Sequence, residues 1–291
     1  MTLNYCIIVV LFNSCPSDEL LAIDAIDNVN LIIVDNSSVP SASSHLHYMH
    51  NANAGGLAGA YNAAIKYLLN MSLNPDFIMF MDDDTPISGV FSAMADPNNL
   101  KALASKDVAA VSGIYRDINT GLRGRMILSS TFANHSYPRE QDGLKEVSYL
   151  INSLSIWKME AVSRIGFYNE SFEVDHIDTE YCLRAASLGY KVMCNYSLEF
   201  DHEIGKRTKY VIFGITLQTG NHTPHRRYMI GRNTARLLTT YILRRPAVSY
   251  LMFTRIMYEL LGILHEENNK YKKIYMLLVG VFDGMFWRKE N

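Results

Sequence analysis

The amino-acid sequence predicts an α/β fold: a parallel or mixed sheet covered by helices, followed by an all-helical extension. Short β-rich runs alternate with helical stretches through the first half of the chain, the pattern that a parallel sheet with crossover helices produces. One of these runs ends in three adjacent acids, at the place where open α/β sheets bind ligands, beyond the carboxyl ends of their strands. From about residue 226 onward the periodicity is helical throughout.

Asn4 to Leu11 and Leu31 to Val34 are continuous apolar runs of buried-strand length, and Asp18 to Ile26 between them has helical periodicity, so the three make a βαβ unit. A glycine-rich turn then opens a helix at about Leu57 to Leu69, Phe77 to Met81 is the next strand, and Val108 to Tyr115 repeats the signal. Asn13, Asp35 and Asp82 to Asp84 follow three of these strands and should meet in one crevice. Arg116 to Gly143 is polar and irregular, which predicts loops or antiparallel strands. Asp178 to Leu188 reads as a helix and Lys191 to Tyr196 as a strand; Tyr228 to Leu243, Pro246 to Leu264 and Tyr271 to Phe286 read as helices.

A chain of 291 residues is long enough for one large α/β domain with a helical appendix. Its net charge of -2 lacks the basic footprint of a nucleic-acid binder, so no nucleic-acid partner is expected and any phosphate contacts must come from a local cluster. Cys6, Cys15, Cys182 and Cys194 have neither the spacing of a zinc site nor the density of a disulfide scaffold, which points to a reducing cytoplasm. Met1 runs into NYCIIVVLF without the parts of a signal peptide. The longest apolar run near the C-terminus, Ile274 to Phe282, falls short of the roughly 20 residues that span a bilayer, so no transmembrane anchor is expected.

Four stretches carry chemistry. In Met81-Asp82-Asp83-Asp84-Thr85-Pro86 adjacent carboxylates repel one another, and a cation would offset that cost. Mg²⁺ or Mn²⁺ suits such oxygen ligands and can bridge a nucleotide's phosphates. Strand alternation points Asp82 and Asp84 the same way; a solvated acidic turn is the plainer alternative. In Asn53-Ala-Gly-Gly-Leu-Ala-Gly-Ala-Tyr-Asn62, Gly55 and Gly56 let backbone amides approach a ligand as a helix begins, the plainer alternative being a tight turn with close helix packing. Ala54, Gly56 and Gly59 imitate a dinucleotide fingerprint, but after the second strand instead of the first.

Phe172 to Arg184, FEVDHIDTEYCLR, puts Asp178 and Glu180 at a helix start. Capping by Asp178 and dipole pairing by Glu180 would explain them, yet the same position suits a general base for an acceptor hydroxyl. In HRRYMIGRN, at least two of Arg226, Arg227 and Arg232 can share a helical face and clamp a diphosphate, or form a solvated basic face. Trp157 could stack on an acceptor sugar or sit in the core. Beyond Pro246, aromatic and basic residues mix along amphipathic helices, which suits either a membrane interface or packing within a homo-oligomer.

The ordered set VVLFN, DNSS, NAGGLAGAYNAAI, MDDDTP, INS, DHIDTEYCLR, HEIG and RRYMIGRN, over residues 5–235, resembles the rhamnosyltransferase-like branch of the large inverting glycosyltransferase family that includes cellulose and hyaluronan synthases. The resemblance implies the A-type (GT-A) fold with a Rossmann-like nucleotide-binding sheet, a divalent metal, Mg²⁺ or Mn²⁺, and an aspartate base. It implies a catalytic domain over 1–225 and a helical region over 226–291. Asp178 matches the base, with Asp175 as its rival, since the usual Glu-Asp pair reads Ile177-Asp178 here. Asp82, Asp84 and His202 match metal ligands. The nucleotide-sugar site would comprise Asn13, Asp35, Asn53, Gly55, Gly56, Asn62, Asp82, Arg227 and Arg232, and the acceptor site Asn152 and Trp157.

The implied reaction is single-displacement transfer of L-rhamnose from dTDP-L-rhamnose to a glycan or polyprenyl-diphosphate-linked acceptor in O-antigen, capsule or related synthesis, in the cytoplasm and peripheral to the inner face of the plasma membrane. Three rivals stand beside it: a UDP-galactofuranose or other UDP-sugar transferase of the same fold, a nucleotide-binding oxidoreductase, and a non-catalytic glycan-binding protein.

Overall fold

The computed structural model describes residues 3–286, apart from 42, 72, 84 and 213. β1 (Tyr5–Leu11), buried along its whole length, pairs in parallel with β2 (Val29–Asp35). The helical periodicity between them yields only a one-turn helix, α1 (Asp18–Leu21), capped by Ser17 and continued by a 3-10 turn over Ala22–Ala25. β3 (Tyr48–His50) extends the sheet beyond β2, and α2 (Gly56–Asn70) buries Ala58, Ala60, Tyr61, Ala64, Ile65 and Leu68. β4 (Phe77–Asp82) lies parallel to β1 on its other side.

α3 (Ile87–Ala95) and α4 (Pro97–Ala104) follow, the second capped by Asp96, and lead into β5 (Val108–Asp117). After a short hairpin, β6 (Ile127–Ser129) and β7 (Asn134–Ser136), come β8 (Leu144–Val147) and β9 (Ser155–Lys158). α5 (Met159–Ile165), α6 (Ile177–Ser187) and the long β10 (Lys191–His202) complete the α/β part. The sheet order is β3-β2-β1-β4-β9-β5-β10-β8. β9, only four residues long and antiparallel to both β4 and β5, makes the sheet mixed.

The chain divides into two compact units, Met1–Ile114 with Glu140–Phe200 and Tyr115–Arg139 with Asp201–Asn291. This differs from the expected single cut at 225/226. The reason lies in the contacts of the second unit. There the hairpin β11 (Thr208–Ile212) and β12 (Ile215–Thr219) packs on α8 (Pro246–Glu266), with the amide of Gln218 donating to Tyr258 at 2.7 Å. Asn134 of β7 donates to the carbonyl of Ala247 at 2.8 Å. The irregular excursion and the helices therefore share one hydrogen-bonded body.

Its core joins α7 (Pro224–Tyr241), α8 and α9 (Lys270–Met285) through Ile230, Ile263 and Leu277, each burial contributing roughly 1.5–3 kcal/mol. Gly280 and Gly284 let α9 lie directly on α7: a Cβ there would come within 2.1 Å of the Tyr228 carbonyl and 2.2 Å of the Arg232 carbonyl. α8 corrects the expectation about apolar length. It is 21 residues long with a mean hydropathy of 1.4 over its most apolar window, long and apolar enough to cross a membrane by length and composition.

Candidate active site

In the first unit the chemistry-bearing residues gather at the carboxyl ends of β1, β2 and β4. The register sets Leu11 beside Asp35 and Val10 beside Asp82, so the loops that follow leave the sheet at one edge. Asn13, exposed and at φ 57°, donates its amide to Ser37 Oγ at 2.7 Å. Ser14 Oγ donates to the Asp83 carboxylate.

Asp35 is fully buried. Its carboxylate accepts from the amides of Ser37 (2.9 Å) and Ser41 (2.6 Å), the Ser41 hydroxyl (2.8 Å) and the Tyr48 phenol (2.6 Å). Burial alone would raise its pKa, but these donors hold it well below the ordinary carboxylate range. The side chain expected to lie against a nucleotide faces its own loop instead, and what it offers a ligand is the shape of residues 36–41.

The glycine stretch is closed over by backbone. Ala52, Asn53, Gly55 and Gly56 are all left-handed, at φ 50°, 57°, 68° and 63°. Asn36 Nδ2 donates to Asn53 Oδ1 at 3.0 Å and to the Gly56 carbonyl at 3.2 Å, while Asn51 Nδ2 donates to Asn36 Oδ1 at 2.8 Å. At the start of α2 the Leu57 amide donates to the Glu173 carbonyl at 2.8 Å, so a protein oxygen takes up one of the helix's orphan donors. Close packing gives Gly55 and Gly56 a structural reason beside the expected nucleotide contact: a Cβ on Gly55 would meet Glu170 Oε2 at 2.7 Å, and one on Gly56 the Glu173 carbonyl oxygen at 2.5 Å. Close packing of two chain segments requires these glycines.

Gly56→Ala is accordingly expected to destabilise the protein by about 2–4 kcal/mol, the sum of left-handed strain and the clash with Glu173. Thermal denaturation checks this. An unchanged midpoint would mean that the two segments do not need their close approach.

Asn62 is likewise corrected from nucleotide ligand to internal tie. It is 2% exposed; its Nδ2 donates to the Tyr168 carbonyl (2.9 Å) and Glu170 (2.8 Å), and its Oδ1 accepts from the Tyr168 amide (2.7 Å). Both ends of the amide are consumed in anchoring residues 168–170 to α2.

What this scaffolding holds is the acidic segment. Glu173, Asp175 and His176 are at φ 53°, 60° and 62°, strain of order 1 kcal/mol or more apiece that persists only where surrounding contacts impose it. The N-cap of α6 is His176, so Asp178 stands in the first turn and is not the capping residue. Glu180 pairs with Arg184 at 2.9 Å. The Asp178 carboxyl is pushed up to about 6, first by burial and then by the charges of Asp175 and Asp82, against a lowering hydrogen bond from the Thr179 amide. Asp82, Asp175 and Asp178 therefore share one electrostatic field.

Beneath the acids lies an aromatic layer that sequence reasoning did not single out. Tyr168 stacks on Tyr181 with centroids 4.0 Å apart and lies 5.2 Å from Tyr61. Burial raises both the Tyr61 and Tyr168 phenols far above their ordinary range, and the charge of Asp178 adds to each shift. Tyr61 stood inside the quoted glycine stretch; Tyr168 carried no local signal. Asn152, expected at the acceptor, is only 7% exposed and accepts a long, 3.5 Å bond from Tyr168, which places it in this layer. Trp157 is corrected to a core residue: fully buried in β9, it donates to Ser155 Oγ at 3.0 Å and meets Tyr181 edge-on at 5.0 Å.

Asp84 lies outside the described residues. Among the described residues no group of three His, Cys, Asp or Glu side chains could hold a metal ion by itself. The donor chemistry still suits a hard cation, because the charges of Asp175 and Asp82, which add to the effect of burial on Asp178, are ones that a divalent ion would offset. His202 belongs to the second unit, at the end of β10 and edge-on to Tyr115 at 6.3 Å.

The arginines, also in the second unit, do not form one basic face. Arg227 is fully buried and ion-paired with Glu259 and Glu267, and its Nη2 donates to Thr219 at 3.2 Å, which corrects its assignment to a diphosphate. Burial alone would raise Glu267, but hydrogen bonds from Lys273 and Thr219 and the charges of Arg227 and Lys273 hold it below its ordinary value. Arg232 is half-buried, its guanidinium 5.8 Å from the Tyr228 ring centroid.

No protein-family profile matches the chain. It is 25% identical over 276 residues to the dTDP-rhamnosyl transferase RfbF of Shigella flexneri, a match covering 89% of this chain and 86% of that protein. Among solved structures it is similar to the mannosyltransferase PcManGT from Pyrobaculum calidifontis in complex with GDP-Man and Mn²⁺, with a TM-score of 0.57 at 13% identity over 97% of this chain and 87% of that one. It is also similar to GalNAc-T7 with UDP, GalNAc and Mn²⁺, at a TM-score of 0.52 and 11% identity over 88% of this chain and 54% of that one. At such identities the solved structures speak for the fold.

Proposed function

We propose that the chain, which has the GT-A fold, is a glycosyltransferase that transfers L-rhamnose from dTDP-L-rhamnose, with inversion, to a hydroxyl of a growing surface glycan such as O-antigen or capsule. The observation that carries the chemistry is Asp178, a carboxyl raised to about 6 at the start of α6 and held there by a strained segment. A base poised near the working pH is effective as a proton acceptor. Asp178 takes the acceptor hydroxyl's proton while that oxygen's electron pair attacks the anomeric carbon and the bond to the diphosphate breaks, so no sugar is held covalently by the enzyme. Asp175 is the rival base.

Asn13, Asn53 and the loop ordered by Asp35 would receive the nucleotide. Asp82, with Asp84, would hold Mg²⁺ or Mn²⁺, which would supply positive charge opposite the departing diphosphate. The choice of rhamnose rests on the similarity to the Shigella transferase along most of both chains. The acceptor is a glycan or polyprenyl-diphosphate-linked glycan, met at the cytoplasmic face of the membrane. Incubation with a panel of dTDP-, UDP- and GDP-sugars and Mn²⁺, scored by donor turnover, tests the reading. Turnover of UDP-galactofuranose in preference to dTDP-rhamnose overturns the sugar, and turnover of none of them overturns the activity.

The pH dependence follows from Asp178. Protonated carboxyl cannot act as base, so kcat/KM should climb with unit slope through about pH 6 and level off above it. Because the raised value favours the protonated form in the folded state, this group weakens folding as pH rises from the ordinary aspartate range toward 6. An acid limb left in place by Asp178→Asn would assign it to another group.

A further inference from the structure

We infer that the outer faces of α8 and α9 form the interface of a two-fold homodimer. In α8, every exposed residue from Pro246 to Leu264 is a large apolar one: Tyr250, Phe253, Met257, Leu261 and Leu264. Its inner face buries Val248, Met252, Ile256 and Ile263, with Glu259 ion-paired to Arg227 among them. The outer side of a surface helix is ordinarily polar, whereas that of α8 is apolar and only 44% of its most apolar window is buried within the chain.

α9 repeats the pattern with a stricter spacing. Tyr271, Tyr275, Leu278, Phe282 and Met285 are exposed by 93%, 65%, 50%, 62% and 51%, and they recur at intervals of four, three, four and three residues, the spacing of a helix-packing seam. The seam that α9 presents to α7 is a different one, built on Leu277, Gly280 and Gly284. A second seam on the same helix calls for a second helical partner.

Area and charge identify that partner. With aromatic side chains offering about 150–250 Å² each, the exposed fractions of these stripes amount to roughly 1,000 Å², well above the few hundred Å² that monomers leave open and comparable to the ~800 Å² that each partner buries in a standard interface. Aromatic residues and Met, with Lys and Glu left out, match the composition of an interface core. A bilayer fits less well, because charged residues adjoin the α9 stripe: Lys272 is exposed next to Tyr271, and Asp283 next to Phe282, its carboxylate accepting from Tyr228 at 2.9 Å. Such charges are costly in hydrocarbon but suit the polar rim of a protein interface. A two-fold contact pairs the same patch on both copies.

Sedimentation velocity on the full chain at micromolar concentration should give twice the chain mass. Leu278→Glu combined with Phe282→Glu, two substitutions at exposed positions, should halve that mass with an unchanged circular dichroism spectrum, while Phe282→Leu should keep the dimer. A wild-type monomer across the concentration series, whether or not it sediments with zwitterionic or anionic vesicles, overturns the inference and requires no folded variant. So does a dimer that survives both acidic substitutions. Mass, unlike donor turnover, does not depend on the proposed reaction.

Discussion

Asp178→Asn is expected to lower transfer by roughly 10²-fold or more while leaving donor affinity unchanged and thermal stability no lower than before, because a general base acts only in the chemical step and a neutral amide escapes the burial penalty of the carboxylate. The structure makes the test clean. Asp178 is in the first turn of α6 with His176 at the cap, so the substitution leaves the cap alone. The 3.0 Å bond from the Thr179 amide can be kept by the asparagine oxygen. Single-turnover rates and donor binding measured on the same preparations separate the steps. Asp175→Asn is the necessary companion. Transfer that disappears in Asp175→Asn and persists in Asp178→Asn would move the base to Asp175.

Arg227→Ala is expected to destabilise the protein by about 3–5 kcal/mol, since removing one partner of a buried ion pair leaves uncompensated charge. In a thermal melt that is a fall on the order of 10 °C. Glu259 and Glu267, at 3% and 1% exposure, would lose the guanidinium they share, with Lys273 and Arg255 remaining as partial compensation at 2.8 Å and 2.5 Å. Adding Glu267→Gln should recover part of the loss. The basic-face expectation makes the opposite forecast: full stability, with diphosphate binding weakened in a salt-sensitive way. That outcome would return Arg227 to the ligand.

Near the site, legibility followed the range of the interactions. The placing of Asn13, Asp35 and Asp82 at neighbouring strand ends was readable because it depends on strand order and length alone. The fate of Gly55, Gly56 and Asn62 was not. Their partners, Glu170, Glu173 and Tyr168, lie more than 100 residues away, and a glycine that admits a ligand looks in sequence like one that admits a backbone carbonyl.

The sequence by itself determined β1, β2, β4 and β5, the helices of the C-terminal region and the position of the acids, because apolar runs and helical periodicity record burial locally. Only the tertiary structure decided that β9 enters the sheet between β4 and β5, that the excursion over residues 115–139 joins the helical unit, and that Trp157 and Arg227 face inward. A four-residue strand carries too little periodicity to announce itself. A buried arginine is intelligible only with its carboxylates, which here stand 32 and 40 residues further along the chain.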